Sequence, residues 1–315
     1  MTEFKSELLE TVNLLCTKEK GILAADESTG TIGKRFSQIN LENNLENRIA
    51  YRKLLFTTPN LNKNISGVIT FEEPLKNKEL IDNLKKQNIV VGIKVDKGVK
   101  PLYNQQEETV TQGLDNLDLR CQEYYKLGAR FAKWRSVLKI NKNTGCPTDF
   151  AMFQNVEVLA RYASICQQNG LVPIVEPEIL MDGNHTIMEA NRITVSVLTL
   201  LYQRLNKHNV ILEASLLKPN MVRDGVDLTN TNTTIRDIGL YTDNAIKRAV
   251  PSVVPGIFFL SGGMSEQEST AVLNEINKFN LNHKNWHISF SYGRALQYSV
   301  LKIWQGKEEN IVKAQ

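Results

Sequence analysis

The sequence predicts an α/β protein, a (β/α)8 TIM barrel in a single domain. Short apolar segments rich in strand-forming residues recur eight times along the 315 residues, and a stretch of amphipathic, helical length separates each from the next. The alternation runs from Gly21 to Gln305, a span typical of such a barrel. An open doubly wound sheet is the rival fold. It usually has fewer strands and a glycine-rich first turn, and the sequence contains no G-x-G-x-x-G motif.

The strands and helices follow from this alternation in chain order. The predicted strands are residues 21–26, 67–73, 90–96, 129–135, 171–179, 211–221, 256–262 and 286–293. Helices are predicted between them at 45–56, 113–127, 154–169, 186–208, 233–250, 266–279 and 294–305. The residues before the first strand predict a helical extension at the N-terminus. No linker rich in Pro, Gly or Ser divides the chain, so we expect one barrel domain over residues 1–315.

The composition is that of an ordinary globular protein, with 42% hydrophobic and 23% charged residues. The net charge of +4 is spread along the chain, which suits small anionic ligands better than nucleic acid. The four cysteines have neither disulfide nor metal-ligand spacing and are predicted to be reduced thiols. With no secretory segment at the start and no apolar run of membrane-spanning length, we expect a cytoplasmic enzyme without membrane insertion.

Lys218 lies in the most informative segment, near the end of the long apolar run 211–221. Burial disfavours the charged form of a lysine, so a useful fraction of a buried lysine is a nucleophilic amine near neutral pH. Lys133 lies near the end of another strand-like run, 128–135. If the two lysines meet in the fold, repulsion between their ammonium groups would also favour the neutral amine. For a lone lysine, a side chain that extends to solvent from a strand end is the commoner explanation. The neighbouring polar residues favour the catalytic alternative.

Charged residues collect at the C-terminal ends of the predicted strands, where barrel enzymes carry their catalytic groups. Three of the pairs are spaced by two, so both members point to the same side of a strand. Glu213 is an exception, early in its strand, and we interpret it as a structural partner of a cation. The strand-end residues are Asp26, Lys94, Asp96, Lys133, Arg135, Glu176, Glu178 and Lys218.

Glycine turns after the last two strands predict phosphate binding. Glycine lets backbone amides approach an anion, the following helix directs its positive end at the anion, and an arginine adds a bidentate contact. The residues of these turns are Ser261, Gly262, Gly263, Gly293 and Arg294. A second anion, on the opposite side of the barrel mouth, would be held by Lys94, Arg135 and Ser28. Ordinary turn glycines are the alternative. Phosphate donors at both edges with an amine between them suit a bisphosphorylated sugar.

The sequence gives little support for a metal or cofactor mechanism. It contains four histidines, none of them at a predicted strand end, and the pair His283 and His287 flanks the entrance to the last strand at the opposite face of the barrel. No Ser-His-acid or Cys-His arrangement is evident. We therefore expect no metal site and no cofactor.

Seven motifs follow one another along the chain, at residues 23–30, 92–98, 131–135, 172–178, 216–222, 260–263 and 289–296. Together they resemble class I fructose-bisphosphate aldolase of the eukaryotic type, and the resemblance runs in order from about residue 4 to residue 315. The resemblance implies metal-independent, reversible cleavage of fructose 1,6-bisphosphate to dihydroxyacetone phosphate and glyceraldehyde 3-phosphate, in glycolysis and gluconeogenesis. It also implies a homotetramer and possible cytoskeletal partners.

The same resemblance implies roles for the site residues. Lys218 would be the Schiff-base lysine, and the acid, base and electrostatic groups around it would be Glu176, Lys133, Asp26 and Glu178. The phosphate beside the ketone would lie on Ser261, Gly262, Gly263, Gly293 and Arg294, and the far phosphate on Lys94, Arg135 and Ser28.

Relatives continue beyond the last barrel helix through another helix and a flexible tail ending in Tyr, for which residues up to Gln315 offer no counterpart. We therefore expect carbon–carbon cleavage to persist while the later proton transfer limits turnover. Two other functions stay open. One is a non-catalytic, aldolase-like scaffold, and the other is a Schiff-base aldolase for a different sugar phosphate such as fructose 1-phosphate.

Overall fold

A closed barrel of eight parallel strands forms the centre of the molecule, as predicted. The computed structural model describes residues 2–105, 107–280 and 286–315. Around the barrel the strands follow the order β1-β2-β3-β6-β7-β8-β9-β10, and β10 pairs with β1 to close it. The strands are β1 Gly21–Ala24, β2 Ile65–Thr70, β3 Val90–Lys94, β4 Val99–Pro101, β5 Thr109–Thr111, β6 Phe131–Leu138, β7 Val172–Ile179, β8 Leu216–Leu217, β9 Gly256–Phe259 and β10 His287–Tyr292.

Helices separate the barrel strands along the chain. They are α1 Lys5–Leu15, α2 Thr29–Phe36, α3 Leu45–Phe56, α4 Glu72–Leu75, α5 Lys78–Lys86, α6 Leu117–Lys126, α7 Asp149–Gln168, α8 Ile187–Lys207, α9 Ile235–Ala249, α10 Glu266–Asn280, α11 Arg294–Trp304 and α12 Ile311–Ala314. Each helix predicted between strands is present. The largest difference in a boundary is at α7, which begins earlier than predicted because Thr148 caps it by accepting a hydrogen bond from the amide of Ala151 at 3.1 Å.

The prediction of a strand at 211–221 is wrong over most of its length. Leu212–Ala214 is a turn of 3-10 helix, and only Leu216–Leu217 pairs with its neighbours. The side chain of Gln167 contacts the amide of Ile211 at 2.9 Å and the carbonyl of Ala214 at 3.0 Å, so the turn's backbone groups are satisfied without a strand ladder. Glu213 is exposed in this turn and has no ion pair with any described residue, contrary to the interpretation above.

Helix α1 closes the N-terminal end of the barrel. Its buried residues Leu8, Val12 and Leu15 belong to one apolar cluster with the barrel-interior side chains of Phe131 and Phe258. Phe131 fills the interior so tightly that a Cβ on Gly92 would lie 2.3 Å from its ring. The N-terminal half of the barrel is therefore tightly packed, and the buried charged side chains of the barrel strands lie toward its C-terminal end.

A short antiparallel hairpin, β4–β5, follows the third barrel strand and was not predicted. Val99 pairs with Thr111, and the Thr111 hydroxyl donates to the carbonyl of Arg135 at 2.7 Å. The hairpin's two strands have three residues each, which is too short for a periodic pattern to stand out in the sequence, and all three residues of the first strand are exposed. The hairpin packs beside β6 near the mouth of the barrel.

Candidate active site

Two lysines and three carboxylates meet at the mouth of the barrel. The Lys133 ammonium lies 2.8 Å from Asp26 Oδ2, 3.3 Å from Glu176 Oε2 and 3.9 Å from Asp96 Oδ2. Lys218 Nζ lies 3.3 Å from the other oxygen of Glu176. Lys133, Glu176 and Lys218 are each 4% exposed. Glu176 therefore bridges the two ammonium groups, and the lysine pair anticipated from the sequence shares one carboxylate.

The charges of this group stabilise one another. Burial alone would raise the pKa of Asp26, but the ammonium groups of Lys133 and Lys218 outweigh burial and hold the pKa of Asp26 well below its usual range. Burial would likewise lower the pKa of Lys133, but the carboxylates of Asp26, Glu176 and Asp96 hold it well above its usual range. Near neutral pH Asp26 is therefore ionised and Lys133 is protonated.

Strand register brings these groups together. In the parallel pair β6–β7, Arg135 is opposite Glu176 and Val137 is opposite Glu178, and in the pair β3–β6, Lys94 is opposite Lys133. Residues two apart on a strand face the same side, so both cations of β6 face the side on which β7 carries its carboxylates. The spacing-by-two seen in the sequence is the cause of this arrangement.

The residues predicted to hold the far anion already have partners within the protein. Lys94 Nζ is 2.7 Å from Asp96 Oδ1, and the Arg135 Nε donates to Glu178. Ser28 caps α2 by accepting from the Thr31 amide at 3.4 Å. An anion at this edge would therefore bind to cations that are partly neutralised.

The residues predicted for the near phosphate surround the opposite edge. Gly262 and Gly263 have φ angles of 53° and 81°, a left-handed turn that glycine adopts without strain, and Gly293 caps α11. Arg294 is exposed and makes no ion pair or hydrogen bond with the described residues. Its Nη2 lies 3.5 Å from the position that a Cβ on Gly263 would take. This edge therefore presents a guanidinium group whose donors are available to a ligand.

A cleft of about 230 Å³ contains nearly the whole predicted set. Its lining includes Ser28, Asp26, Lys94, Lys133, Arg135, Glu176, Glu178, Lys218, Ser261, Gly262, Gly293 and Arg294. Gly263 lines an adjoining cavity, together with Arg294. The structure therefore brings the predicted residues to one place, with Gly263 at its border.

The sequence analysis did not assign a role to Ser291, which also lines this cleft. It is 1% exposed on β10, and its hydroxyl has no hydrogen-bond partner among the described residues. A buried hydroxyl without a partner at the edge of a ligand cleft is poised to bond to the ligand. The signal was present in the sequence, since Ser289 and Ser291 alternate with Ile288, Phe290 and Tyr292.

A buried ion cluster fixes the loop that carries Asp26 and Ser28. Glu27, 7% exposed, contacts Arg52 Nη2 at 2.7 Å through Oε2, and its Oε1 accepts from Arg35. Arg52 comes from α3 and is 4% exposed. No local pattern in the sequence indicated this cluster, because its members come from separate elements.

Arg52→Met is expected to lower the free energy of unfolding by about 3 kcal/mol, since it leaves the Glu27 carboxylate buried with one cation fewer. Urea unfolding of the purified variant measures this loss. Lys53→Met, on the same helix, removes an ammonium that is 55% exposed beside Glu79 and should change the stability little. An Arg52 variant as stable as the Lys53 variant would contradict the structural role of the cluster.

The histidines lie away from the cleft where the structure describes them. His287 is the first residue of β10, and its Nε2 lies 3.1 Å from the carbonyl oxygen of Lys20. His283 lies outside the described residues. In the described ranges, no group of three or more His, Cys, Asp or Glu side chains is arranged to hold a metal ion. The same ranges contain no helix long and apolar enough to span a bilayer.

A parallel barrel with a buried lysine at its mouth, between two edges that carry cationic side chains, is typical of enzymes that act on phosphorylated small molecules. A family model for glycolytic class I fructose-bisphosphate aldolase matches residues 7–315. The chain belongs to this family. It is a lyase that cleaves fructose 1,6-bisphosphate reversibly to dihydroxyacetone phosphate and glyceraldehyde 3-phosphate, without a metal, in glycolysis and gluconeogenesis.

Individual relatives are similar over nearly their whole length. The chain is 53% identical to the cytoplasmic isozyme 1 of fructose-bisphosphate aldolase from Pisum sativum, with 99% of this chain and 88% of the pea protein covered. It is 51% identical to the Dictyostelium discoideum aldolase, with 99% of this chain and 88% of that protein covered. A solved structure of Plasmodium falciparum aldolase, in complex with TRAP and a small-molecule inhibitor, superposes with a TM-score of 0.96 at 52% identity and covers 100% of this chain and 91% of that one.

Proposed function

We propose that Lys218 performs the reaction as a Schiff base. Its amine attacks the ketone carbon of fructose 1,6-bisphosphate, and loss of water leaves an iminium ion. The iminium accepts the electron pair of the bond between the third and fourth carbons as that bond breaks, so glyceraldehyde 3-phosphate departs. The resulting enamine is protonated and hydrolysed to dihydroxyacetone phosphate. The observation that carries this proposal is the position of Lys218, 4% exposed, at the cleft with its Nζ 3.3 Å from Glu176.

Glu176 is proposed to move the protons when the carbinolamine loses water. Its contact with Lys218 puts a carboxylate beside the nitrogen at which the carbinolamine forms. The other carboxylate oxygen, Oε2, is buried and makes no hydrogen bond of good geometry, although the Lys133 ammonium is 3.3 Å away. An oxygen held by charge but not by a directed hydrogen bond is available to accept a proton.

Asp26 is proposed to take the proton of the hydroxyl on the fourth carbon as the carbon–carbon bond breaks. Asp26 is ionised and can therefore accept a proton, although the ammonium groups that lower its pKa also weaken it as a base, and the protonated Lys133 stabilises negative charge that develops on the reacting hydroxyl oxygen. Glu178 contacts Arg135 and not the lysines, so we assign it to positioning that guanidinium. The phosphate farther from the ketone would bind to Arg135, Lys94 and Ser28.

Two variants separate the proposed roles of the carboxylates. Asp26→Asn should lower kcat for cleavage by about 10²–10⁴ while dihydroxyacetone phosphate still forms a borohydride-reducible adduct, because imine formation precedes the step that Asp26 serves. Glu176→Gln should slow formation of the adduct itself. Single-turnover trapping and steady-state cleavage are measured on both variants, with fructose 1-phosphate as a second substrate. If Asp26→Asn slows trapping and Glu176→Gln does not, the two roles are exchanged.

We further propose that the chain forms a homotetramer, as the family resemblance suggests. Phe150 and Met188 are 49% and 62% exposed in the first turns of α7 and α8, which pack side by side. Large apolar side chains at corresponding positions on adjacent helices favour a protein contact. Phe150→Glu combined with Met188→Glu is expected to lower the mass measured by sedimentation. Leu119→Glu on α6, where Leu119 is 59% exposed, is the control, and equal masses for all proteins would place the contact elsewhere.

A cytoplasmic location is also proposed. It is supported by the pea and Arabidopsis thaliana relatives, which are named cytoplasmic and cytosolic. Cytoskeletal partners are a proposal from the family resemblance. The solved structure of the Plasmodium relative in complex with TRAP supports the binding of partners by a member of this family.

A further inference from the structure

A second cavity, of about 300 Å³, adjoins the cleft that contains Lys218. The two share Arg135, Glu178, Gly262 and Arg294 as wall residues. We call this second cavity the annex. Beyond the shared wall, its lining includes Met181, His185, Met221, Arg223, Val226 and Met264. None of these six residues has a role in the cleavage proposed above.

The wall of the annex is a built structure. The segments after β7 and β8 are joined by backbone hydrogen bonds from Val226 to Met181 and from Gly225 to His185, both of 2.8 Å. A Cβ on Gly225 would lie 2.1 Å from the carbonyl oxygen of Gly183, so the two segments touch at a position where a larger residue does not fit. A cavity with such walls is formed before a ligand arrives, which lowers the entropic cost of binding.

The polar groups of the annex have unused hydrogen-bonding capacity. His185 is 2% exposed, and its Nδ1 has no hydrogen-bond partner among the described residues. The Nε of Arg223 is also buried without a partner, although its Nη1 reaches Glu268 at 3.2 Å. Arg294, on the shared wall, likewise has no partner in the described ranges. The Nε of Arg223 is a buried donor, and buried donors are normally satisfied, so the annex suits a ligand that brings a hydrogen-bond acceptor.

The lining indicates the chemical class of that acceptor. The guanidinium groups of Arg294 and of Arg223, which is paired with Glu268 through one nitrogen, favour an anion, and Glu178 opposes it little because it is paired with Arg135. Asp182, exposed at the rim, is the remaining acidic side chain of the lining. The other surfaces are the thioethers of Met181, Met221 and Met264, which pack well on aromatic rings. The volume holds on the order of ten water molecules, close to the size of a phenyl ring with a phosphate.

We propose that the annex is a binding site for a compact aromatic phosphate monoester, whose phosphate contacts Arg223 and Arg294 and whose ring packs on the three methionines. Such a ligand shares Arg294 with the near phosphate of the sugar. It therefore competes with fructose 1,6-bisphosphate, and the annex acts as an inhibitory subsite beside the reaction site.

Calorimetric titration of the full chain with phenyl phosphate, without any sugar, tests this site. Arg223→Gln is expected to weaken binding about tenfold, the loss of one charge-assisted contact. Val226→Trp, at a residue that is 51% exposed, should fill the opening and prevent ring binding. Arg192→Gln is the matched control, because Arg192 is exposed on α8 and lines a different cavity. Inorganic phosphate should bind equally to the wild type and to Val226→Trp.

Two results would overturn the proposal. One is no binding of phenyl phosphate to the wild-type chain, and the other is an unchanged Kd in both Arg223→Gln and Val226→Trp. Circular dichroism establishes that each variant is folded, and Arg223→Gln keeps the test decisive if the tryptophan variant does not fold. Calorimetry needs no turnover, so a chain that binds phenyl phosphate as described but does not cleave sugar would refute the proposed mechanism and leave the annex intact.

Discussion

Lys218→Met is expected to reduce cleavage of fructose 1,6-bisphosphate by about four orders of magnitude or more, because the variant has no amine that can form the imine. Lys133 is no substitute, since its ammonium is surrounded by three carboxylates that keep it protonated. The fold should survive, because Glu176 keeps its 3.3 Å contact with Lys133. A coupled assay for glyceraldehyde 3-phosphate measures the loss.

Lys100→Met provides the control for this variant. Lys100 is exposed on β4, and the substitution removes the same side chain at a site without a proposed role. Its activity should equal that of the wild type. Cleavage by Lys218→Met within tenfold of the control would show that another group carries the reaction.

Lys133→Met is expected to lower both activity and stability. The substitution leaves the carboxylates of Asp26 and Glu176 buried without the cation that both contact, and breaking a buried ion pair on one side costs about 3–5 kcal/mol. Cleavage should fall at least as far as in Asp26→Asn, since Asp26 also loses the charge that keeps it ionised. Urea unfolding and the same coupled assay measure the two effects.

The pH dependence of this stability difference follows from the pKa shifts. The pKa of Asp26 is lowered from 3.8, so its contribution is present above about pH 4 and is lost as the pH falls through its folded value. The pKa of Lys133 is raised from 10.5, so its contribution is complete below about pH 10 and is lost as the pH rises through its folded value. The stability difference between wild type and Lys133→Met should be widest between these limits and should narrow on acidification, beginning above pH 4 because burial raises the pKa of Asp26 in the variant once the Lys133 charge is removed. A gap that widens on acidification would contradict the ion-pair account.

The barrel and the composition of its mouth were predictable because they depend on periodicity. Parallel strands align their C-terminal ends, so residues such as Lys133 and Glu176 at the ends of adjacent predicted strands had to become neighbours. The same reasoning failed at Leu212–Ala214. There the backbone is satisfied by Gln167, and a contact between residues so distant in sequence leaves no local pattern.

The partners of the charged groups were less predictable than their positions. Sequence spacing placed Arg135 and Lys94 at an anion site, but it did not indicate that Glu178 and Asp96 neutralise them. Those pairings depend on side-chain rotamers and on register between strands. The buried contact between Glu27 and Arg52 was missed for the same reason.

The most direct measurement for the central claim is reductive trapping. Borohydride added to the protein with dihydroxyacetone phosphate, in the presence of a chelator, reduces an imine to a stable secondary amine, which peptide mass mapping then locates. A single adduct on Lys218 is the predicted result. An adduct on Lys133 instead, or none on any lysine while cleavage of fructose 1,6-bisphosphate continues, would contradict it.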